Sequence, residues 1–110
     1  MPRAATTTDV FNAIAEPRRR QIIEVLARRG SIAVSVLVVT LGMPQPAVSK
    51  HLGVLRKVGL VSVTKQGQQR LYKLEAKELK RVHDWAGKFE QHWNHQLDRI
   101  KQRAERRARE

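Results

Sequence analysis

Apolar positions at helical spacing predict two helices in the first third of the chain. Thr8 can cap a helix that runs from Asp9, and "AEP" at residues 15–17 ends it, because the residue before a proline avoids helical geometry. From Pro17 to Arg29 the pattern predicts a second helix, for which Gly30 supplies the C-terminal stop. The apolar positions of the two helices are Val10, Phe11, Ile14, Ile22, Ile23, Val25 and Leu26.

The segment from Ser31 to Leu41, "SIAVSVLVVTL", is compatible with two structures. Its β-branched residues favour a strand, whereas its length, and Ser31 as a cap, favour a helix. Gly42 and the proline-started segment after it tip the prediction towards a helix. The valines cannot all be buried on one helix face, so a partner, a small ligand pocket and loose packing are alternative explanations for Val36, Val38 and Val39.

A helix with one apolar and one polar stripe is predicted within "MPQPAVSKHLGVLRKVGL", residues 43–60. Pro44 and Pro46 suit its first turn, where a missing N–H has no helical partner to lose, and Gly59 suits its end. The stripe that faces the core carries Val48, Leu52 and Leu55. The outward stripe carries Ser49, Lys50, Gly53 and Lys57.

After Gly59 the pattern changes from helical to alternating. The run "LVSVTKQGQQRLYKL" predicts a β-hairpin around a polar loop that contains Gly67. Its apolar positions are Val61, Val63, Leu71, and Tyr72 or Leu74.

Residues 75–110 are predicted to form one long helix, because they contain no proline and the lone Gly87 costs only about 1 kcal/mol. The last dozen residues, "RIKQRAERRARE", have no apolar stripe. From Leu79 onwards, apolar residues keep a spacing of three and four at Leu79, Val82, Ala86, Phe89 and Trp93, and Ile100 follows seven residues later.

Composition narrows the class of protein. The chain has 110 residues, enough for one domain with a modest core, and its net charge of +12 attracts polyanions such as nucleic acid or an anionic membrane surface. It has no cysteine, which excludes disulfides, thiolate metal sites and a cysteine nucleophile. Because neither a membrane-spanning run nor a signal peptide is apparent, a cytoplasmic protein is expected. The expected organisation is a disordered N-terminus at residues 1–7, one domain at 8–100 and a basic tail at 101–110.

The order of these elements predicts a winged helix-turn-helix, a mainly α fold with five helices and a small β-hairpin. In a helix-turn-helix the second helix enters the major groove of DNA, N-terminal residues first. At the leading end of that helix, side chains that can bind bases or phosphates are those of Gln45, Ser49, Lys50 and His51, and Gly53 allows close approach. The hairpin is expected to contact the DNA backbone or the minor groove through Lys65, Gln66, Gln68, Gln69, Arg70 and Lys73.

Two stretches, "FNAIAEPRRRQIIEVLARRG" and "MPQPAVSKHLGVLRKVGLVSVTKQGQQRLYKL", resemble the ArsR family of winged-helix transcriptional repressors, and the resemblance covers about residues 8–100. The distinctive parts are the run Q-x-x-V-S-x-H-L-x-x-L-x-x-x-G-L-V and the wing motif G-x-x-R-x-Y-x-L. The resemblance implies a homodimer that occupies an operator and blocks transcription until a signal releases it. It also implies DNA contacts by Gln45, Ser49, Lys50, His51, Lys65 and Arg70, to which we add Pro46, Lys57, Gln66 and Gln68 as neighbours on the same elements.

Three of the five aromatic residues, Trp85, Phe89 and Trp93, lie in the last predicted helix. A ligand cage is one interpretation, but a dimer seam is simpler, because buried aromatic side chains dominate interfaces. Pairing of this helix with its copy would place two recognition helices about 34 Å apart, so the operator is expected to be an inverted repeat. The predicted interface consists of Phe11, Leu79, Val82, Trp85, Phe89, Trp93, Leu97 and Ile100.

The metal sites of the family are not reproduced. The segment before the recognition helix, "VSVLVVTL", has no cysteine, so the cysteine metal sensor of the best-known members is missing. The second family site uses Asp and His of the last helix, and its spacing is not matched by His83, Asp84, His92, His95 and Asp98. We therefore expect no metal or other cofactor. The inducing signal stays open between a metal bound by histidines, a small organic molecule at the dimer interface and no inducer.

The arginines from Arg18 to Arg20 open the second helix, where their charge opposes the helix dipole. A phosphate, a carboxylate such as Glu16 or Glu24, or solvent is the expected partner. At the other end of the chain, the cations of residues 99–109 either add non-specific attraction to DNA or belong to a disordered tail.

Two other classes of protein compete with a sequence-specific regulator. A non-specific architectural or RNA-binding basic protein would use the same charge without preference among sequences. A small nuclease would need the four histidines as general bases. Three of these histidines lie on one predicted helix without a carboxylate pair or a phosphate-binding glycine loop, so an enzyme is not expected.

Overall fold

Ten elements of regular structure run along residues 9–109, the part of the chain that the computed structural model describes. In chain order they are α1 (Val10–Ile14), α2 (Pro17–Arg29), β1 (Ile32–Ala33), α3 (Val34–Leu41), α4 (Gln45–Lys57), β2 (Val61–Gln66), β3 (Gln69–Leu74), a 3-10 turn (Ala76–Glu78), α5 (Leu79–Gly87) and α6 (Glu90–Arg109). The predicted fold class, mainly α with a small hairpin, is confirmed. The predicted count of five helices is wrong, because the described residues form six.

The first helix is capped by Asp9. Its carboxylate accepts a hydrogen bond from the backbone N–H of Asn12 at 2.8 Å, so the helix begins at Val10, one residue later than predicted. Thr8, the predicted cap, and residues 1–7, predicted to be disordered, lie outside the described residues.

Arginines of α2 bind the C-terminal end of α1. The guanidinium of Arg19 donates to the carbonyl of Ala13 at 2.6 Å, and that of Arg20 donates to the carbonyls of Ile14 and Ala15 at 2.8 and 3.1 Å. The last carbonyls of a helix lack intrahelical partners, and they lie at the negative end of its dipole. Within the protein, backbone carbonyls are thus the partners of these two residues, and the predicted carboxylate partner is wrong for them.

The start of α2 is held separately. Glu16 is its N-cap, and the side chain accepts from the backbone N–H of Arg18 at 2.9 Å. The side chain of Arg18 donates to Gln21 at 3.1 Å, one turn along the helix. Gly30 ends α2 with a φ of +76°, as predicted.

The ambiguous segment from Ser31 to Leu41 contains both of its predicted alternatives. Ile32 and Ala33 form a short strand that pairs with Tyr72 and Leu71 of β3, and α3 follows. Ser31 is not the cap, because the N-cap of α3 is Ala33, which makes no side-chain capping hydrogen bond. The helix prediction therefore holds from Val34 onwards only.

The three strands form an antiparallel sheet in the order β1-β3-β2. The hairpin register runs from Val61 opposite Leu74 to Gln66 opposite Gln69, which leaves a loop of Gly67 and Gln68 alone. Gly67 has a φ of +62°. A positive φ at the first of two loop residues is typical of tight hairpin turns and favours glycine there.

The core lies between α1, α2, α3, α4 and the base of the sheet. Every buried residue within residues 9–109 is apolar. Val48, Leu52 and Leu55 of α4 are at most 1% exposed, which confirms the predicted inward stripe. The other buried side chains are Val10, Ala13, Ile22, Ile23, Val25, Leu26, Ile32, Leu37, Met43, Leu60 and Val61.

The C-terminal segment is not the single helix predicted for residues 75–110. A 3-10 turn precedes α5, and α5 ends at Gly87. The backbone N–H groups of Lys88 and Phe89 donate to carbonyls three residues earlier, at 3.1 and 3.0 Å, which tightens the chain before α6 starts. The low helix propensity of Gly87 places the break there. The predicted basic tail is helical as far as Arg109. None of the helices within residues 9–109 combines the length and apolar character needed to cross a membrane.

Candidate nucleic-acid interface

The helix-turn-helix consists of α3, a three-residue turn and α4. Gly42 adopts the left-handed conformation at φ +62°, Met43 is buried, and Pro44 is the N-cap of α4. The backbone N–H of Met43 donates to the carbonyl of Val38 at 3.3 Å. A buried side chain between a glycine and a proline of fixed φ constrains how the chain enters α4.

The outer face of α4 is exposed along its whole length. On it lie Gln45, Pro46, Ser49, Lys50, Gly53 and Lys57, which are the candidate DNA-binding residues of this helix other than His51. Between Asp9 and Arg109, none of their side chains makes a hydrogen bond or salt bridge with another part of the protein. The opposite face is clamped to the core, so these groups are presented outward on a fixed helix.

The fold does not require glycine at position 53. A Cβ built on it would meet nothing within 4 Å, and its backbone is ordinary helix. A glycine in a helix interior destabilises the helix by about 0.5–1 kcal/mol relative to alanine. Its presence on the outer face is therefore consistent with close approach of an external surface to the α4 backbone.

His51 is half-buried, unlike the outward residues beside it. Its Nδ1 lies 3.4 Å from Nη1 of Arg19. A guanidinium can only donate, so Nδ1 accepts and the neutral ring carries its proton on Nε2. Partial burial, followed by the charge of Arg19, lowers the pKa of His51 from its ordinary value. The prediction that His51 faces outward with Ser49 and Lys50 is therefore correct only in part.

The hairpin presents two cations directly opposite each other. Lys65 on β2 pairs with Arg70 on β3, and both side chains are exposed. Like charges at directly opposed positions of an antiparallel pair destabilise the sheet. Successive side chains of a strand point to opposite faces of the sheet, so Lys65 lies on the same face as Val61 and Val63. Lys65 and Arg70 therefore lie on the face of the sheet that covers the core, at the part of the hairpin that projects beyond the core. Gln66, Gln68 and Gln69 complete an exposed polar tip.

Lys73, at the base of the hairpin, has a different environment from the tip. Its ammonium lies 3.8 Å from the carboxylate of Glu75, which also accepts a hydrogen bond from the hydroxyl of Ser62 at 2.6 Å. The charge of Lys73 is thus partly offset within the protein, and the tip cations are better placed for an external anion.

Arg56 is a further candidate on α4 that is not among the residues predicted from the sequence. It is exposed in the last turn of α4, three residues after Gly53 and seven after Ser49, and thus on the same face. That spacing was visible in the sequence and would have identified it.

Six large apolar side chains are exposed along α1, α5, α6 and the connection between α5 and α6. We call this surface the apolar stripe: Phe11, Trp85, Phe89, Trp93, Leu97 and Ile100, each 40–60% exposed. Within it, Phe11 and Trp85 meet edge-to-face at 5.9 Å between ring centroids, and Trp85 meets Phe89 at 5.3 Å. Leu79 and Val82, predicted as part of the same interface, are half-buried and pack against the core.

No group of three or more His, Cys, Asp or Glu side chains within residues 9–109 is arranged to hold a metal ion. Asp84 instead binds its helical neighbours, with a carboxylate oxygen 3.3 Å from Nδ1 of His83 and another 3.3 Å from Nζ of Lys80. The hydrogen bond with His83, followed by that with Lys80, lowers the pKa of Asp84.

The family model described as "Bacterial regulatory protein, arsR family" matches residues 16–63, which contain α2, α3 and α4. An uncharacterized HTH-type transcriptional regulator of Methanocaldococcus jannaschii is 32% identical over 82 residues, which are 74% of this chain and 92% of that protein. The arsenical resistance operon repressor of Escherichia coli is 29% identical over 92 residues, 83% of this chain and 75% of that protein.

Solved structures agree in fold. An ArsR-like transcriptional regulator from Rhodococcus sp. RHA1 has a TM-score of 0.67 at 30% identity, and the match covers 86% of each chain. A homodimeric winged helix-turn-helix DNA-binding domain from Mycobacterium bovis has a TM-score of 0.60 at 28% identity and covers 70% of each chain. The predicted winged helix-turn-helix is therefore confirmed.

The environment of His51 predicts a loss of stability in mild acid. Because its pKa is lowered in the folded state, the unfolded chain takes up the proton more readily. The stabilising contribution is complete above the ordinary histidine value of about 6.5 and is lost as the pH falls through that value towards the folded-state pKa. Denaturant unfolding at pH 7.5 and 5.5 should show a larger loss for the wild type than for His51→Gln.

The other histidines are present in both proteins, so their titration cancels in this comparison. An NMR titration of the ring protons should give His51 a midpoint below the ordinary histidine pKa of about 6.5. A midpoint above that value, or an equal loss of stability in the two proteins, contradicts the described contact with Arg19.

Proposed function

Because this chain belongs to the ArsR family of bacterial regulatory proteins, we propose that it is a repressor that binds an inverted-repeat DNA operator as a homodimer. The chain is a transcriptional regulator with a DNA-binding winged helix-turn-helix, and the relatives compared with it are regulators and not enzymes. The observation that carries the proposal is the outer face of α4, which is exposed, polar and fixed by the burial of its other face.

We assign the recognition of a particular DNA sequence to the N-terminal end of α4. The amide of Gln45 can bind adenine through two hydrogen bonds, and the hydroxyl of Ser49 can donate or accept. Lys50 can bind the acceptors of guanine or a phosphate. Pro46 shapes the first turn, and Gly53 lets the helix backbone approach the groove.

We assign the sequence-independent affinity for DNA to cations around the outer face of α4. Lys57 and Arg56 lie in the last turn of α4, and Lys65 and Arg70 lie at the wing tip with Gln66 and Gln68. Phosphate contacts fix the register of a protein on DNA without reading sequence. A phosphate between Lys65 and Arg70 would also relieve their mutual repulsion. His51 can add a donor through the Nε2 proton that its contact with Arg19 leaves in place.

The apolar stripe is assigned to the homodimer. A large exposed apolar patch on a soluble protein marks an interaction surface, and aromatic side chains bury about 150–250 Å² each. Leu79 and Val82 would support it from the core side. The E. coli relative is named as a repressor and the M. bovis neighbour as a homodimer, which supports both parts of the proposal. The DNA-binding and dimerisation unit would span residues 8–100, with residues 101–110 as its basic extension.

Removal of the base-reading groups should weaken operator binding selectively. A duplex selected from a random pool serves as the operator, and binding is measured by fluorescence anisotropy. Gln45→Ala and Ser49→Ala should each lose about 1–3 kcal/mol on that duplex and almost nothing on a scrambled one. Ser35→Ala, an exposed serine on α3, is the matched control and should bind like the wild type.

Equal losses on the selected and scrambled duplexes would show that these side chains do not read bases. Failure of the selection to return any common sequence would contradict the repressor and favour a non-specific DNA- or RNA-binding protein.

Gly53→Ala should change stability and DNA binding in opposite directions. The added methyl meets nothing within the protein, so it should stabilise the fold by about 0.5–1 kcal/mol. On the operator it should weaken binding, because the backbone of α4 would no longer approach the groove. Greater stability rules out misfolding as the cause, and unchanged affinity would contradict the close approach.

Leu97→Glu should convert the dimer into a monomer, because a carboxylate would be buried in an apolar interface without a partner. Sedimentation velocity at micromolar concentration measures the oligomeric state, and affinity for a full inverted repeat should fall with it. Val39→Glu is the matched control, since Val39 is 83% exposed on α3 and outside the apolar stripe. A Leu97→Glu protein that remains dimeric would contradict the assignment of the stripe.

A further inference from the structure

One side of α6 carries a row of basic and amide groups that the winged helix does not use. We call it the basic face, and it consists of Gln91, His92, His95, Arg99, Gln102, Arg103 and Arg106. Two shallow grooves run along it, one lined by the histidines and glutamines of the first half and one by the arginines of the second half. Every residue on it is exposed.

Arg99 and Arg103, the central cations of the basic face, have no carboxylate three or four residues away. The neighbours of Arg103 three and four residues away are Arg99, Ile100, Arg106 and Arg107. The acidic residues Asp98 and Glu105 lie at other offsets from both Arg99 and Arg103. Between Asp9 and Arg109, no residue of α6 takes part in a salt bridge. Like charges at this spacing repel and destabilise a helix, so an external anion would stabilise this arrangement.

The helix dipole does not account for these charges. Cations are favoured at the last turn of a helix, and Arg106, Arg107 and Arg109 lie there. Arg99 and Arg103 lie ten and six residues before the end of α6, beyond the reach of that effect. A helix face built only for solubility would alternate charges of both signs, and this one does not.

The basic face is accessible to a large partner. No residue of α6 is buried, and its 20 residues span about 30 Å. The radius of gyration of the chain is 19.0 Å, whereas a compact chain of this length would have about 13 Å. The helix thus projects from the body of the protein, and the longest dimension of the chain is 65 Å.

We propose that the basic face is a second DNA-binding surface, which contacts the phosphates of duplex DNA that flanks the operator. The proposal rests on the proposed function, because the winged helix must first hold the protein on DNA. Tethering by the winged helix raises the effective concentration of those flanking phosphates that lie within reach of α6, so weak contacts with them become occupied. Arginine binds phosphate with two parallel hydrogen bonds, and such contacts carry no sequence information.

An anionic membrane is a less suitable occupant. A membrane-surface helix must insert its apolar side, and on α6 that side carries Trp93, Leu97 and Ile100 of the apolar stripe. These side chains are assigned to the dimer seam, whereas the basic face lies on another side of α6. DNA requires only the basic face, so it is the favoured polyanion.

The test compares two duplexes and two charge-matched variants. The short duplex ends at the outermost base pairs of the selected operator, and the long duplex adds about ten base pairs of random sequence at each end, one further DNA turn. Arg99→Gln/Arg103→Gln removes two cations from the basic face, and Lys77→Gln/Lys88→Gln removes two exposed cations from outside α6. Glutamine is nearly as good a helix former as arginine or lysine, so α6 should persist in both variants.

The wild type and the lysine variant should bind the long duplex about tenfold more tightly than the short one at low salt. The arginine variant should bind the two duplexes equally. On the long duplex, the slope of log affinity against log salt should fall by up to about 3.6, since each of four phosphate contacts per dimer contributes about 0.9.

An arginine variant that keeps the preference for the long duplex would overturn the inference, as would a wild type without that preference. Vesicles of phosphatidylglycerol that bind the wild type but not the arginine variant, together with equal affinity for both duplexes, would identify a membrane as the occupant instead. In each case selective binding to the short duplex shows that the proposed function stands. Loss of that selectivity in the wild type would contradict the proposed function itself.

Discussion

The burial of one stripe of α4 against α2 and α3 determines how the rest of the molecule is presented. Val48, Leu52 and Leu55 are almost fully buried, so α4 cannot rotate about its axis without exposing them to water. Met43 anchors the preceding turn in the same core, and Pro44 fixes the backbone as the helix begins. The outer face of α4 therefore has a defined direction before any DNA is bound, and little conformational entropy is lost when it binds.

Repulsion between like charges recurs on the surface of this protein. Lys65 and Arg70 are opposed across the wing, and Arg99 and Arg103 follow each other on α6. Each arrangement destabilises its own element slightly, and each is relieved by a polyanion. These four residues are part of the excess of cations in the composition, and they lie at places where no neighbouring carboxylate neutralises them.

A network of arginine contacts connects the N-terminal helix with the DNA-facing one. Arg19 donates to the last turn of α1 and lies against His51 of α4, while Arg20 binds the final carbonyls of α1. Phe11, on α1, meets Trp85 on α5. The elements proposed for dimerisation and for DNA reading are therefore joined through direct contacts, so the position of α1 affects both.

The sequence alone determined the features that depend on neighbouring residues. Gly30 and Gly42 end helices, the buried stripe of α4 follows from its spacing, and the hairpin turn at Gly67 follows from local turn chemistry. The exposed side of α4 was predicted for the same reason, and Arg56 was within reach of that argument. DNA binding by these exposed residues is a property of the protein–DNA complex. It follows neither from the periodicity of the sequence nor from the structure of the protein alone.

Only the tertiary structure decided the features that depend on distant partners. The strand at Ile32 exists because Tyr72, forty residues later, supplies its hydrogen-bonding partner. Arg19 and Arg20 bind carbonyls of another helix, and His51 is turned towards Arg19, although the sequence suggested carboxylates or DNA for these groups. The break after Gly87 likewise reflects the balance between a weak helix former and the packing of α5 against α1. Short-range patterns carry information about the backbone within a few residues, whereas the partner of a polar side chain is set by whichever elements the core brings beside it.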